Sequence, residues 1–261
     1  MKINQLLRLY EGGQTQFAGI ELSNEDLERL TLIGVNFQDS QLIGANLTRA
    51  FLTKAILKRA NLNRANLTFA KMNQADLEKA DLTKANLTGA FLVQAKLVGA
   101  RLAGANLAHA NLRGADLRNA NLSAANLQRS NLLEADLRGV NFNWANLQQT
   151  RLTGANLRDI SFNGTNLQGA FIKEVDLCGA NLENVNLSEV RLTGSDLRGA
   201  NLRGANLAGA RLRSVNLEGA NLIGANLSQI YLEDANLQSV IVHLPENSHQ
   251  NNNWFEPYYA T

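Results

Sequence analysis

From Leu32 to Val242 an apolar residue, Leu in most cases, stands at every position whose number ends in 2 or 7. A small or β-branched residue, most often Ala, sits two places before almost every one of them. The stretch 105–119 (ANLAH, ANLRG, ADLRN) shows the unit undiluted. A strict five-residue period excludes both regular structures in continuous form. In a helix, five steps of about 100° turn the Leu by roughly 140° per repeat, so no apolar stripe forms. In one unbroken strand, an odd period throws successive Leu residues to opposite faces. The chain must therefore turn once per repeat. Within a repeat the Leu and the residue two before it share parity and point one way, and the residues flanking the Leu point the other.

Glycine marks the turn. Apart from Gly12 and Gly13, every Gly lies two after a Leu position, as at Gly89, Gly104, Gly139 and Gly199. A tight turn with positive φ at its second central residue wants Gly there. Arg, Asn, Gln or Lys often holds the slot elsewhere, which points to other turn types at those corners. One turn per five residues buries no core alone. Stacked coils do, with Leu and Ala inside.

The position just before each Leu tells how many repeats close a coil. Every twentieth residue from Asn46 to Asn226 is Asn. From Phe51 the series is Phe51, Lys71, Phe91, Asn111, Asn131, Arg151, Phe171, Arg191, Arg211 and Tyr231. From Asp76 it is Asp76, Lys96, Asp116, Asp136, Asn156, Asp176 and Asp196. A twenty-residue period gives four repeats per coil and four distinct faces. Roughly ten coils at about 4.8 Å each make a rod on the order of 50 Å long.

The repeated A(D/N)LXX run resembles the pentapeptide repeat family. That resemblance implies an all-β fold, a right-handed quadrilateral β-helix with Leu stacked inside, and the hand comes from the resemblance alone. Some members of that family imitate DNA and protect or inhibit a type II topoisomerase, with a strongly acidic surface. This chain departs from them, with 25 Lys and Arg against 23 Asp and Glu and a net charge of +2. A near-neutral chain favours neither nucleic-acid binding nor nucleic-acid mimicry.

Three segments are expected: residues 1–14 as an N-terminal helical cap, 15–242 as the repeat solenoid, and 243–261 as a C-terminal aromatic tail. Ile3, Leu6, Leu7 and Tyr10 share one helical face, and Gly12-Gly13 is a stop signal. Such a helix would cover the open lower end of the core. Phe17, Leu22 and Leu27 keep the period, but Glu25 occupies a slot that should face inward. Residues 23–30 (SNEDLERL) therefore have a helical alternative with Ser23 as N-cap, and the first regular coil is expected near residue 30. At the other end Trp254, Phe255, Tyr258 and Tyr259 either fold back over the core or anchor an oligomer contact, a homodimer through one end.

Little in the sequence points to catalysis. His109, His243 and His249 are scattered, so no metal or cofactor is expected. Cys178 follows Leu177 and should point outward, with no His beside it to activate a nucleophile. One Cys fits a reducing compartment, and neither a signal-peptide pattern nor an 18-residue apolar run is present, so a cytoplasmic protein without a membrane span is expected. Asp116, Asp136 and Asp196 each have an Arg two residues on (Arg118, Arg138, Arg198), a pattern for surface ion pairs. The Asn column suits turn stabilisation. The strip Phe51, Lys71, Phe91, Arg151, Phe171, Arg191, Arg211 and Tyr231 mixes aromatics with cations that can stack at coil spacing. It is the candidate surface for an unidentified protein partner. The expected function is a non-catalytic interaction rod, and the alternative is a DNA-mimic topoisomerase modulator.

Overall fold

The computed structural model describes residues 3–242. One helix, α1 (Ile3–Glu11), precedes the repeats. It ends where the two glycines stand: Gly12 and Gln14 N–H groups donate to the Arg8 and Leu9 carbonyls, and Gly13 takes φ 90°. Leu6 is fully buried in the same core as the repeat Leu side chains. Tyr10 Oη donates to the Ile33 carbonyl at 2.9 Å, tying the helix to the first coil. The aromatic tail residues Trp254, Phe255, Tyr258 and Tyr259, with His243 and His249, lie outside the described residues.

From Gln16 onward the residue before each Leu position pairs in parallel with the residue twenty further along, from Gln16–Asn36 to Asn221–Ile241, with two exceptions. Four repeats thus return the chain to its starting column. The pairing is one residue wide rather than a run of strand, because the turn takes up the rest of each repeat. A regular repeat with Asn or Asp before its Leu nevertheless uses all its backbone donors, as around Leu47. Asn46 N–H donates to Glu25 C=O at 3.0 Å, Leu47 to Asn66 at 2.7 Å and Arg49 to Thr68 at 2.8 Å. Ala50 N–H closes the turn on Leu47 C=O at 3.0 Å. The fifth donor, Thr48 N–H, is accepted by the side chain of Asn46 at 3.2 Å. That last bond explains why Asn or Asp so often precedes the Leu: its oxygen satisfies the one N–H the coil geometry leaves over.

The core is a stack of Leu with Ala beside it, and Leu127 in mid-rod is fully buried. Phenylalanines at Leu positions occur in vertical pairs: Phe142 and Phe162 stack at 6.0 Å, and Phe17 and Phe37 tilt at 6.3 Å.

Two expectations are corrected. The segment 23–30 is not helical, since Glu21 and Asp26 pair with Gln41 and Asn46 in the common register. Glu25 sits in the lowest coil, where its side chain is exposed and no inward slot is filled. Ile20 and Leu30 hold the Ala slot in that coil and are partly buried against the core. The turns are also of one kind. Non-Gly residues at the Gly slot take the same positive φ, for instance Arg29 at 58°, Lys84 at 57° and Trp144 at 63°. A left-handed residue costs roughly 1–2 kcal/mol. Each such N–H that donates to the next coil offsets part of that cost.

The two exceptions to the ladder fall together. Asn156 does not pair with Asp176, nor Ser161 with Asn181. The N–H groups of Leu157 and Phe162, whose counterparts donate 19 residues along, find no backbone acceptor among the described residues. The slit has a volume of about 360 Å³ and is lined by Leu157, Ile160, Leu177, Cys178 and Ala180 among others. Arg158 Nη2 reaches Asp176 Oδ2 across it at 3.1 Å. Just before the slit, the turn after Ile172 lacks its own closing bond. Ser195 Oγ fills in, donating to Ile172 C=O and accepting from Val175 N–H, both at 3.2 Å.

Candidate functional site

The four faces divide the polar side chains by chemistry. On the Asn face, Asn Oδ1 accepts from the turn and Asn Nδ2 donates to the Asn one coil below, as from Asn126 to Asn106 at 3.1 Å and from Asn186 to Asn166 at 3.0 Å. The column spends its hydrogen-bonding capacity on the rod itself. On the Asp face, Arg118 grips Asp116 through Nε at 2.9 Å and Nη2 at 2.7 Å. Arg138 and Arg198 do the same to Asp136 and Asp196.

The Arg hydrogen bonds hold all three carboxyls below the usual carboxylate range, against a smaller opposing effect of burial. A carboxyl with a depressed folded-state pKa stabilises the fold above its unfolded value and loses that contribution as pH falls through the folded value. Stability should therefore stay level above about pH 4.5 and fall below about pH 4, near the unfolded Asp value. Substituting Asp116, Asp136 and Asp196 together by Asn should flatten that acid limb, as measured by thermal melts across pH.

The aromatic–basic column forms as the spacing predicts, with Phe51, Lys71 and Phe91 on consecutive rungs and Arg151, Phe171, Arg191, Arg211 and Tyr231 on consecutive rungs above. Lys71 Nζ lies 4.4 Å from the centre of the Phe51 ring, and the Arg191 guanidinium 4.7 Å from that of Phe171. Arg211 stands 6.0 Å from Tyr231. Phe91 and Tyr231 are 40% and 61% exposed, so the rings face solvent. Arg151 is exposed and has no carboxylate partner among the described residues.

The strip has a second wall that sequence reading missed. The neighbouring column is the turn slot two after the Leu of the Asn face, and it carries Arg29, Arg49, Phe69, Gly89, His109, Arg129, Gln149, Gly169, Glu189 and Gly209. Between the two walls run two grooves. The upper, of about 650 Å³, lies among Arg129, Arg151, Phe171, Arg191, Arg211 and Tyr231. The lower, of about 330 Å³, lies among Arg29, Arg49, Phe51, Phe69, Lys71 and Phe91. Arg49 lies 5.8 Å from the Phe69 ring, which makes the fourth cation–π pair on this corner. The Phe69 ring lies on Gly89, where any Cβ would overlap it. Sampling the turn slot every twenty residues would have exposed this wall. Trp144, 72% exposed at another corner, was missed for the same reason.

The strip also gives up a structural bond. Phe, Lys and Arg have no side-chain acceptor, and Tyr carries its own at the far end of the ring, so none serves the N–H that Asn serves elsewhere, as Asn111 and Asn131 still do for Arg113 and Leu133 within this column. Among the described residues, the N–H groups of Thr53, Thr153, Lys173, Thr193, Arg213 and Glu233 gain no such partner, while Val93 is served by Asn73 instead.

No group of three or more His, Cys, Asp and Glu side chains suited to a metal occurs among the described residues. Cys178 is exposed as expected. No helix among the described residues is long and apolar enough to cross a membrane.

Comparison with solved structures finds HetL, a pentapeptide repeat protein involved in heterocyst differentiation regulation from the cyanobacterium Nostoc. It is 32% identical and the match covers 93% of this chain and 97% of that one, at a TM-score of 0.45. QnrB1, a plasmid-mediated fluoroquinolone resistance protein, matches at 16% identity over 87% of this chain and 92% of its own, also at 0.45. A pentapeptide repeat protein of the Arabidopsis thaliana thylakoid lumen matches at 26% identity over 57% and 73%, at 0.26. Comparison with curated proteins gives no match. The sequence profile described as pentapeptide repeats matches eight times, in adjoining or overlapping segments that run from residue 20 to residue 243. With its register carried by almost the entire described length, this chain belongs to the pentapeptide repeat family.

Proposed function

We propose that the protein is a non-catalytic interaction rod that docks a protein partner on the corner carrying the two grooves, with α1 closing one end of its core. The observation that carries this reading is that all four cation–π pairs among the described residues lie on that corner. Arg and large aromatics dominate interface energetics, and a rigid scaffold presents them with little ordering cost. The lost turn bonds support the same reading. An intramolecular hydrogen bond is worth about 0.5–1.5 kcal/mol, so a column that forgoes it in repeat after repeat is poorly explained by stability alone. A mimic of DNA needs acidic side chains where this corner has Arg, which disfavours that alternative.

The test replaces Phe91, Arg151, Phe171 and Arg191 together by Asn, the residue already present at Asn111 and Asn131. At positions 151, 171 and 191 the Asn restores an acceptor for a turn N–H that lacks one, and Val93 N–H beside position 91 already has Asn73, so the thermal midpoint should hold or rise while partner capture from cell lysate is lost. A midpoint that holds together with undiminished capture would overturn the reading.

A further inference from the structure

The corner is charged unlike the rest of the molecule. The two grooves hold seven of the chain's 25 Lys and Arg but only one of its 23 Asp and Glu, Glu189. The rest of the chain is left with 18 cations and 22 acids, so a near-zero net charge conceals a basic corner on an acidic body. Of the seven cations only Arg29 has a carboxylate partner among the described residues, Glu28 at 3.3 Å. Away from the grooves Arg59, Arg101, Arg118, Arg138, Arg158 and Arg198 are paired with carboxylates, although Arg64 and Arg203 have no such partner among the described residues.

The upper groove adds geometry to charge. A guanidinium stacked on a ring keeps its in-plane N–H donors free, and those donors match a carboxylate in two-point fashion. Arg191 and Arg211 are held in this manner by Phe171 and Tyr231. Arg129 is held by Gln149, its Nε donating to Oε1 at 2.7 Å. Gly169 and Gly209 leave gaps in the opposite wall beside these residues. The groove runs along the rod from Arg129 to Tyr231, five coils at about 4.8 Å, or roughly 24 Å. An extended segment of about seven residues spans that length.

Resting on the docking function proposed above, we infer that the upper groove takes an extended acidic segment of a protein, its carboxylates on Arg151, Arg191 and Arg211 and its apolar side chains against Phe171 and Tyr231. A nucleic acid strand shares the charge but fits less well, because its phosphates continue past the corner onto a body with excess acid. A short carboxylate segment ends within the groove.

The probe is a fluorescein-labelled octapeptide of alternating Glu and Tyr, titrated by anisotropy into the full chain, beside its Lys–Tyr counterpart and an eight-nucleotide thymidine strand. The acidic peptide should bind saturably and its counterpart should not. Replacing Arg151, Arg191 and Arg211 together by Gln should weaken binding at least about tenfold. The same change at Arg118, Arg138 and Arg198, whose guanidiniums are already occupied, should alter it by less than about twofold. Absent binding of the acidic peptide, equal losses in the two triple variants, or tighter binding of the thymidine strand would each overturn the inference. If the acidic peptide fails while capture still depends on Phe91, Arg151, Phe171 and Arg191, the docking surface stands and only its acidic chemistry is wrong.

Discussion

Leu127→Ala lowers the unfolding free energy by about 2–5 kcal/mol. Leu127 is fully buried with Leu107 below and Leu147 above it in its own column, and its N–H donates to Asn146 C=O at 2.7 Å. The backbone on either side is fixed by bonds to the coils above and below, so the hole left by the isobutyl group has little means of closing. That places the cost toward the upper end of the range for such substitutions. The outward neighbour Gln128 is half-exposed but not idle, because its Nε2 donates to Gln148 Oε1 at 3.1 Å in a short ladder that continues to Gln168. Ala124, exposed at a turn slot in the same coil, is the better control. Ala124→Gly relieves a positive φ of 55° but frees the unfolded chain, and should stay within about 0.5 kcal/mol. Urea denaturation of the two variants separates inside from outside, and equal costs would refute the assignment.

Ser195→Ala and Ser130→Ala make the same chemical change at the same buried slot and should move stability in opposite directions. The slot usually holds Ala, so neither substitution disturbs packing. Ser195 Oγ is the only link between Ile172 C=O and Val175 N–H, next to the slit where rungs are missing. Removing it strands two buried backbone groups and should cost about 1–3 kcal/mol. Ser130 Oγ is buried and has no hydrogen-bond partner among the described residues. Removing it abolishes an unsatisfied hydroxyl and should stabilise by about 1 kcal/mol. Two shifts of the same sign in chemical denaturation would mean that these hydroxyls do not act through the bonds described.

Most of the architecture is legible because one physical demand, burying Leu and Ala while turning every five residues, is written into each repeat. The parts that escape reading lie where that demand is shared with another. In the lowest coil Glu25 meets no coil beneath it, so its side chain turns out to solvent and no helix is needed to explain it. At the turns, Gly is a preference rather than a requirement, because the left-handed residue's N–H is bonded to the next coil, as from Arg49 to Thr68. The candidate site was half legible for a related reason. The strip stands in the position before Leu, where Phe and Arg interrupt a run of Asn. Its opposite wall stands in the turn slot, where Arg49 and Phe69 pass for ordinary corner residues. The slit leaves little trace in the sequence: Asn156, Asp176 and Asn181 are of the same kinds as residues that pair elsewhere, and Ile160, a larger residue in a slot that is otherwise Ala, Ser, Thr or Val from Val35 to Ala225, marks it.

The twenty-residue register sets a rule for how this rod can change length. Inserting or deleting twenty residues adds or removes one storey and leaves every column continuous. Inserting five leaves each repeat locally sound, with its Leu still inward, but rotates everything above the insertion by one face. The Asn column would then run into the strip, and the upper groove would no longer stand over the lower one. A change harmless to folding would thus break the alignment of the two grooves, much as a frameshift spares nucleotides but scrambles words. For a molecule of this form, the spacing of its binding features is inherited in whole coils.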